Sequence, residues 1–137
     1  MSRKCSRHAE SLRIARQFNP QIRFHLGSAY ALPFRDDSFD TVLCSEVLEH
    51  LEHPVDALRE LNRVARRHII LTVPREPLWR IGNMARFKYW RALGNTPTHI
   101  QHWNPSSFRQ MVQEQMPVTT VAVPVMWTML LCEKKRS

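Results

Sequence analysis

The sequence predicts an α/β fold: a mostly parallel sheet with helices between its strands, closed by an antiparallel hairpin at the carboxyl end. Three observations carry this. Short apolar runs alternate with stretches of helical periodicity. The runs at 39–44 (FDTVLC) and 68–73 (HIILTV) are almost unbroken, as in strands buried on both faces. Two later β-rich runs, 119–125 and 128–133, are separated only by Met126-Trp127, a connection so short that the strands must be antiparallel neighbours.

The elements follow in order. Residues 6–18 place Ala9, Leu12 and Phe18, with Ala15 or Ile14, on one helical face and Arg7, Arg13 and Arg16 opposite. Asn19-Pro20 ends that helix. Residues 22–26 read as a short strand whose alternation is broken by His25. After the strand at 39–44, Val55, Leu58, Leu61, Val64 and Ala65 recur at helical spacing and predict a helix over 54–67. Arg66 and Arg67 would sit at the negative end of its dipole. The strand at 68–73 stops at Pro74. Residues 77–93, with Trp79, Phe87, Tyr89 and Trp90, read as a helix, and 94–104 as a loop. Asn104-Pro105 is an N-cap followed by proline at the first helical position, opening a helix to about Glu114.

A chain of 137 residues suits one domain, and 43% apolar residues suffice for a core. The net charge of +8 is uneven. Eight of the twelve acidic residues fall between Asp36 and Glu60, where Arg59 is the only base, so that stretch carries about −7 and the remainder about +15. A basic surface suits RNA, DNA or anionic lipid, or reflects nothing more than arginine-rich composition. Cys5, Cys44 and Cys132 are odd in number and contain no CxxC, and the latter two sit in apolar strands. They read as small core residues in a reducing, cytoplasmic setting. No apolar run approaches the ~18 residues of a membrane span, and the first residues lack a signal-peptide core.

The polar groups with chemical potential gather after the strand at 39–44. Glu46, Glu49 and His50 stand at i, i+3 and i+4, one face of a helix. Two carboxylates and an imidazole can hold a divalent ion, and the mixed oxygen and nitrogen set suits Mg²⁺, Mn²⁺, Fe²⁺ or Zn²⁺ rather than Ca²⁺. His99 and His102 follow about 50 residues later. The bland alternative is a glutamate at a helix dipole and a histidine in ordinary packing. His50, His99 and His102 are the candidate catalytic histidines.

Gly27-Ser28-Ala29, Leu32-Pro33-Phe34, Asp37, Ser38-Phe39-Asp40, the run Ser45 to Leu51 (SEVLEHL) and Leu61-Asn62-Arg63-Val64 together resemble class I S-adenosylmethionine-dependent methyltransferases, and most of all the type 11 group. The resemblance implies a Rossmann-like sheet of strand order 3-2-1-4-5-7-6, of which this chain supplies strands 3 to 7. It implies S-adenosylmethionine as methyl donor, with Ser28 and Ala29 at the adenine, and Ser45 and Glu46 near the methionine portion. A loop serine bonded to its own backbone is the other reading of Ser28. The Glu-x-x-Glu-His start resembles two metal-dependent branches, the ubiquinone-pathway O-methyltransferases and the enzymes that methylate the 3′-terminal ribose of small RNAs. By order of residues, the ligands would be Glu46, Glu49, His50 and His99.

Three departures stand out. The family's Gly-rich loop, and the acidic residue that holds the cofactor ribose, have no counterpart among these 137 residues. Ser28 stands where the family often has Asp. Arg66-Arg67-His68 replaces the usual Pro-Gly-Gly. The expectation is a partial domain over 1–137, marginal alone, with its first two strands missing and the strand at 39–44 left as an open apolar edge. Residues 74–104, rich in tryptophan and arginine, would form an acceptor lid, able to stack bases or to line a small-molecule pocket. The expected activity is methylation of a small molecule, O-methylation favoured. The alternatives are a metal-dependent RNA ribose 2′-O-methyltransferase, and a non-catalytic remnant or a subunit completed by a partner.

Overall fold

The computed structural model describes residues 3–78, 84 and 99–135, with side chains from residue 10 onward. The aromatic and basic residues expected on a lid helix, Trp79, Phe87, Tyr89, Trp90, Arg80, Arg86, Lys88 and Arg91, lie outside the described residues, as does the side chain of Cys5. The chain divides into two units, Met1–Pro33 and Phe34–Ser137.

In the first unit, α1 runs Arg3–Phe18. It ends where Asn19 interrupts it, with the Asn19 amide donating to Ala15 O. Phe18 is 79% exposed. The strand expected at 22–26 is not formed; these residues are irregular, and Ile22 and Leu26 are exposed. A strand exists only where its amides and carbonyls find a neighbour, and none of the described strands pairs with this stretch. Its Phe24 carbonyl accepts instead from Arg16 Nη2 at 2.9 Å. Gly27 is required by a close approach: a Cβ there would lie 2.9 Å from Pro33 Cδ.

The second unit holds β1 (Phe39–Ser45), a single 3-10 turn (Leu48–His50), α2 (Pro54–Val64), β2 (Ala65–Pro74), α3 (Pro105–Gln113), β3 (Val118–Ala122) and β4 (Trp127–Glu133). The sheet order is β1-β2-β4-β3. β1 and β2 are parallel, with Leu43 opposite Ile70 and Ser45 opposite Thr72. β4 lies antiparallel between β2 and β3. The α/β class and the closing antiparallel hairpin therefore hold, and the order is that of strands 4-5-7-6 in the resemblance. One described pair is parallel and two are antiparallel.

Two boundaries move. The helix expected to 67 stops at Val64, and β2 begins at once with Ala65, whose backbone is already extended (φ −75°, ψ 142°). Pairing of Ala65 with Phe39 recruits those residues to the sheet. The register then slips, since Phe39–Thr41 on one strand faces Ala65–His68 on the other. Such a bulge turns neighbouring side chains to one side, and the Arg66 and Arg67 guanidiniums both face Asp40, at 3.5 and 3.9 Å. In the hairpin, β3 stops at Ala122 and Trp127 joins β4, so four residues, 123–126, connect the strands in place of the expected two.

The core lies where α2 and α3 cover the sheet. Leu48, Leu58, Ile69, Leu71, Phe108 and Leu130 are fully buried, and Cys44 and Cys132 are buried small residues as expected. Each large apolar side chain contributes roughly 1.5–3 kcal/mol by leaving water. α3 opens with the expected cap: Asn104 Oδ1 accepts from the Ser107 amide at 2.9 Å, and Ser107 Oγ accepts from the Asn104 amide at 3.2 Å. β1 is a sheet edge, and Leu43 on it is 63% exposed.

Candidate functional site

In an open α/β sheet, ligands gather at the carboxyl ends of the parallel strands. Here those ends are Ser45 of β1 and Thr72–Pro74 of β2. Their hydroxyls form a relay: Ser45 Oγ lies 2.9 Å from Thr72 Oγ1, and Thr72 Oγ1 donates to Glu46 Oε1 at 3.1 Å. Thr72 has one hydroxyl proton, so Ser45 donates to Thr72. Glu46 has φ +54°, left-handed backbone that a branched-free, non-glycine residue adopts at a cost. The bond from its amide to Thr72 O, 3.1 Å, holds it there. A cleft of about 200 Å³ opens beside the relay, lined by Ser45, Thr72, Pro124, Trp127 and Met129. A larger cleft, about 410 Å³, sits at the opposite end of β2 against Arg66, Arg67, His68, Glu133 and Lys134. It lies at the amino-terminal half of β2, away from the carboxyl ends of the parallel strands β1 and β2.

The left-handed turn at Glu46 corrects one expectation. Glu46, Glu49 and His50 do not share a helical face, because only Leu48–His50 is helical and that turn is 3-10. Glu46 faces Thr72, whereas Glu49 turns inward and is 1% exposed. The Glu49 carbonyl accepts from the Ile100 and Gln101 amides at 2.8 and 3.0 Å, and Gln101 Nε2 donates to Leu51 O at 3.1 Å. These bonds bring the distant histidine segment to the turn. The His50 and His99 rings meet edge to face, centroids 4.9 Å apart. One ligand atom each of Glu49, His50 and His99 lies within 4.8 Å of the others. Three of the four expected ligands are thus brought together, and Glu46 is not among them.

The electrostatics of this cluster follow from burial. Neither Glu49 oxygen has a hydrogen-bond partner, and His50 Nε2 is 3.8 Å from Oε1. Burial raises the Glu49 carboxyl above its ordinary value, and the Glu46 carboxylate adds to the effect. Burial lowers His99, helped by the neighbouring His50 and His102. Burial, with Glu49 nearby, pushes the Cys44 thiol up to about 11, so it is inert at neutral pH. His102 stands against a residue that sequence reasoning did not single out: its Nδ1 lies 3.6 Å from Glu76 Oε1. Thr72 and Trp127 were also missed, since only the pairing of β1 with β2 and β4 reveals them at the strand ends.

In the first unit, Ser28 forms a bridge with Ala31, and its Oγ accepts from the Tyr30 amide at 3.2 Å. The hydroxyl oxygen is engaged by its own loop, which leaves its proton to donate. Ala29 sits half-buried in the same turn.

A family model described as a methyltransferase domain matches residues 3–72. The chain belongs to this family. An uncharacterized methyltransferase of Schizosaccharomyces pombe is 56% identical over 43 residues, covering 31% of this chain and 16% of that protein. A demethylmenaquinone methyltransferase of Paenarthrobacter aurescens is 33% identical over 102 residues, covering 71% of this chain and 39% of that one. The fold is shared with a solved structure: the YcgJ protein of Bacillus subtilis superposes with a TM-score of 0.66 at 16% identity, covering 93% of this chain and 80% of that chain. This family member spans between 16% and 39% of the length of the curated relatives it matches. Among the described residues no helix is long and apolar enough to cross a membrane.

Proposed function

We propose that this chain serves methyl transfer from S-adenosylmethionine to a small-molecule acceptor, with an oxygen acceptor favoured. The observation that carries the reading is the Ser45–Thr72–Glu46 relay beside a cleft at the carboxyl ends of two parallel strands. It presents a hydroxyl and a carboxylate to a ligand with an ammonium and a carboxylate of its own, which fits the methionine portion of the donor. Ser45 would meet that portion; the family resemblance assigns Ser28 and Ala29 to the adenine. When bound, S-adenosylmethionine supplies an activated methyl group on sulfonium. The protein's part is to hold the acceptor in line and to exclude water. The demethylmenaquinone methyltransferase relative supports an acceptor of small-molecule size.

Isothermal titration of this chain with S-adenosylhomocysteine tests the reading. Micromolar binding, weakened at least tenfold by Ser45→Ala, is expected. No binding by the chain supports the alternative of a non-catalytic remnant or of a subunit whose sheet a neighbouring polypeptide completes, for which the open edge of β1 speaks.

One observation favours a second reading. The convergence of Glu49, His50 and His99, with both Glu49 oxygens unpartnered, fits a divalent ion such as Mg²⁺, Mn²⁺, Fe²⁺ or Zn²⁺. Such an ion would hold an acceptor hydroxyl and lower its pKa, as in RNA ribose 2′-O-methylation. Binding of single-stranded RNA that weakens steeply with salt would favour this reading.

A further inference from the structure

Beside the Glu49 cluster stands a second buried carboxylate. Glu76 lies two residues past the carboxyl end of β2. Its backbone is fixed on two sides: the Arg75 amide donates to Met126 O at 2.9 Å and the Glu76 amide donates to Trp103 O at 3.1 Å. The side chain is 12% exposed, and neither oxygen has a hydrogen-bond partner. A carboxylate held so, with its lone pairs unused, is destabilising against a satisfied one. Among the described residues it stands against His102, whose side chain is 36% exposed and whose Nδ1 lies 3.6 Å from Oε1. That separation is longer than a hydrogen bond and closes with a small ring rotation, as pairs of this kind do on binding substrate.

A buried carboxylate behind a half-exposed imidazole does one thing well. It accepts a hydrogen bond from Nδ1–H, fixes the ring and its tautomer, and leaves Nε2 with a free lone pair. His99 belongs to the other cluster, with Glu49 and His50. We propose that Glu76 is the positioning residue for His102, and that His102 takes the proton from an acceptor that arrives as a neutral O–H compound. This rests on the methyltransfer reading and narrows its substrate class to alcohols, phenols and enols. In the step, the acceptor O–H bond breaks and its electron pair stays on oxygen. An N–H bond forms on the His102 ring. The oxygen pair then makes the bond to the methyl carbon as the sulfonium carbon–sulfur bond breaks onto sulfur.

The test begins with the resting chain. Nitrogen-15 NMR at alkaline pH, where imidazoles are neutral, reports the tautomer of each ring, with His102 assigned by its loss in His102→Asn. The expected result is the Nδ1–H form of His102 in the native chain and a shift toward Nε2–H in Glu76→Ala and in the isosteric Glu76→Gln. An Nε2–H ring in the native chain, or an unchanged ring in both variants, overturns the proposal whatever the activity. In a turnover assay with a phenolic acceptor, His102→Asn lowers kcat about 10²–10⁴-fold, with S-adenosylhomocysteine affinity unchanged. Unaltered kcat also overturns it. Failure of the native chain to bind S-adenosylhomocysteine instead removes the methyltransfer reading, and the tautomer result still decides the pair.

Discussion

Replacing Glu49 by Gln should make this protein more stable at neutral pH, not less. The reasoning starts from the two carboxylate oxygens, which are buried without a hydrogen-bond donor, with His50 Nε2 3.8 Å from Oε1. Burial raises the folded carboxyl above its ordinary value of 4.5. As pH rises past the ordinary carboxylate range, the unfolded chain releases this proton while the folded chain still holds it. Folded stability therefore falls across that window and stays lower above it. Gln removes the charge but leaves a polar amide in the same slot. The gain is accordingly at the low end of the range for an unsatisfied buried group, about 1 kcal/mol. That amounts to roughly 3–5 °C in melting temperature for a chain of this size. Below the ordinary carboxylate range the two proteins should melt together. The assay is thermal or urea unfolding at acid and neutral pH, in chelator. Added Mn²⁺ or Zn²⁺ provides the second arm. An ion held by Glu49, His50 and His99 stabilises the native chain by about 2.7 kcal/mol at a hundred times its dissociation constant, and the Gln variant by much less. A variant that is equally or less stable at neutral pH in chelator would show that Glu49 is satisfied after all, and the argument for an unused ligand would go with it.

Two other substitutions probe the frame around the site. Asn104→Ala removes the cap that opens α3 and should cost about 1 kcal/mol in urea unfolding; a change near zero would mean Ser107 alone closes that helix end. Leu43→Lys places a charge on the open edge of β1. It should leave unfolding free energy within about 0.5 kcal/mol while reducing self-association in analytical ultracentrifugation. A large loss of stability would show that Leu43 is covered.

Much of the frame was legible along the chain because it is written in local or periodic signals. The apolar runs at 39–44 and 68–73, the Asn104-Pro105 cap and the short connection between the last two β-rich runs each follow from backbone chemistry acting over a few residues. They gave the strands, α3 and the antiparallel closure. The stretch at 22–26 shows the limit. Its alternation suits a strand, but a strand is a pairing, and pairing depends on a neighbour that local sequence does not supply. The Arg66-Arg67 boundary fails for the same reason: helix periodicity ran on to residue 67, and the ladder with β1 took those residues first.

The site divides along the same line. The sequence by itself determined which side chains follow the parallel strands, and so named Ser45, Glu46, Glu49 and His50 as residues near any ligand. Only tertiary structure decided their roles. The left-handed backbone at Glu46 sends one carboxylate to Thr72 and the next inward to His99. Glu76 and Thr72 carry no motif; they matter because β2 ends beside β1 and the 99–103 segment folds back on both. Spacing along a chain fixes distance only within an element. Between elements, distance is set by burial and by hydrogen bonds from amides such as those of Ile100 and Gln101 to Glu49, which no residue type announces in advance.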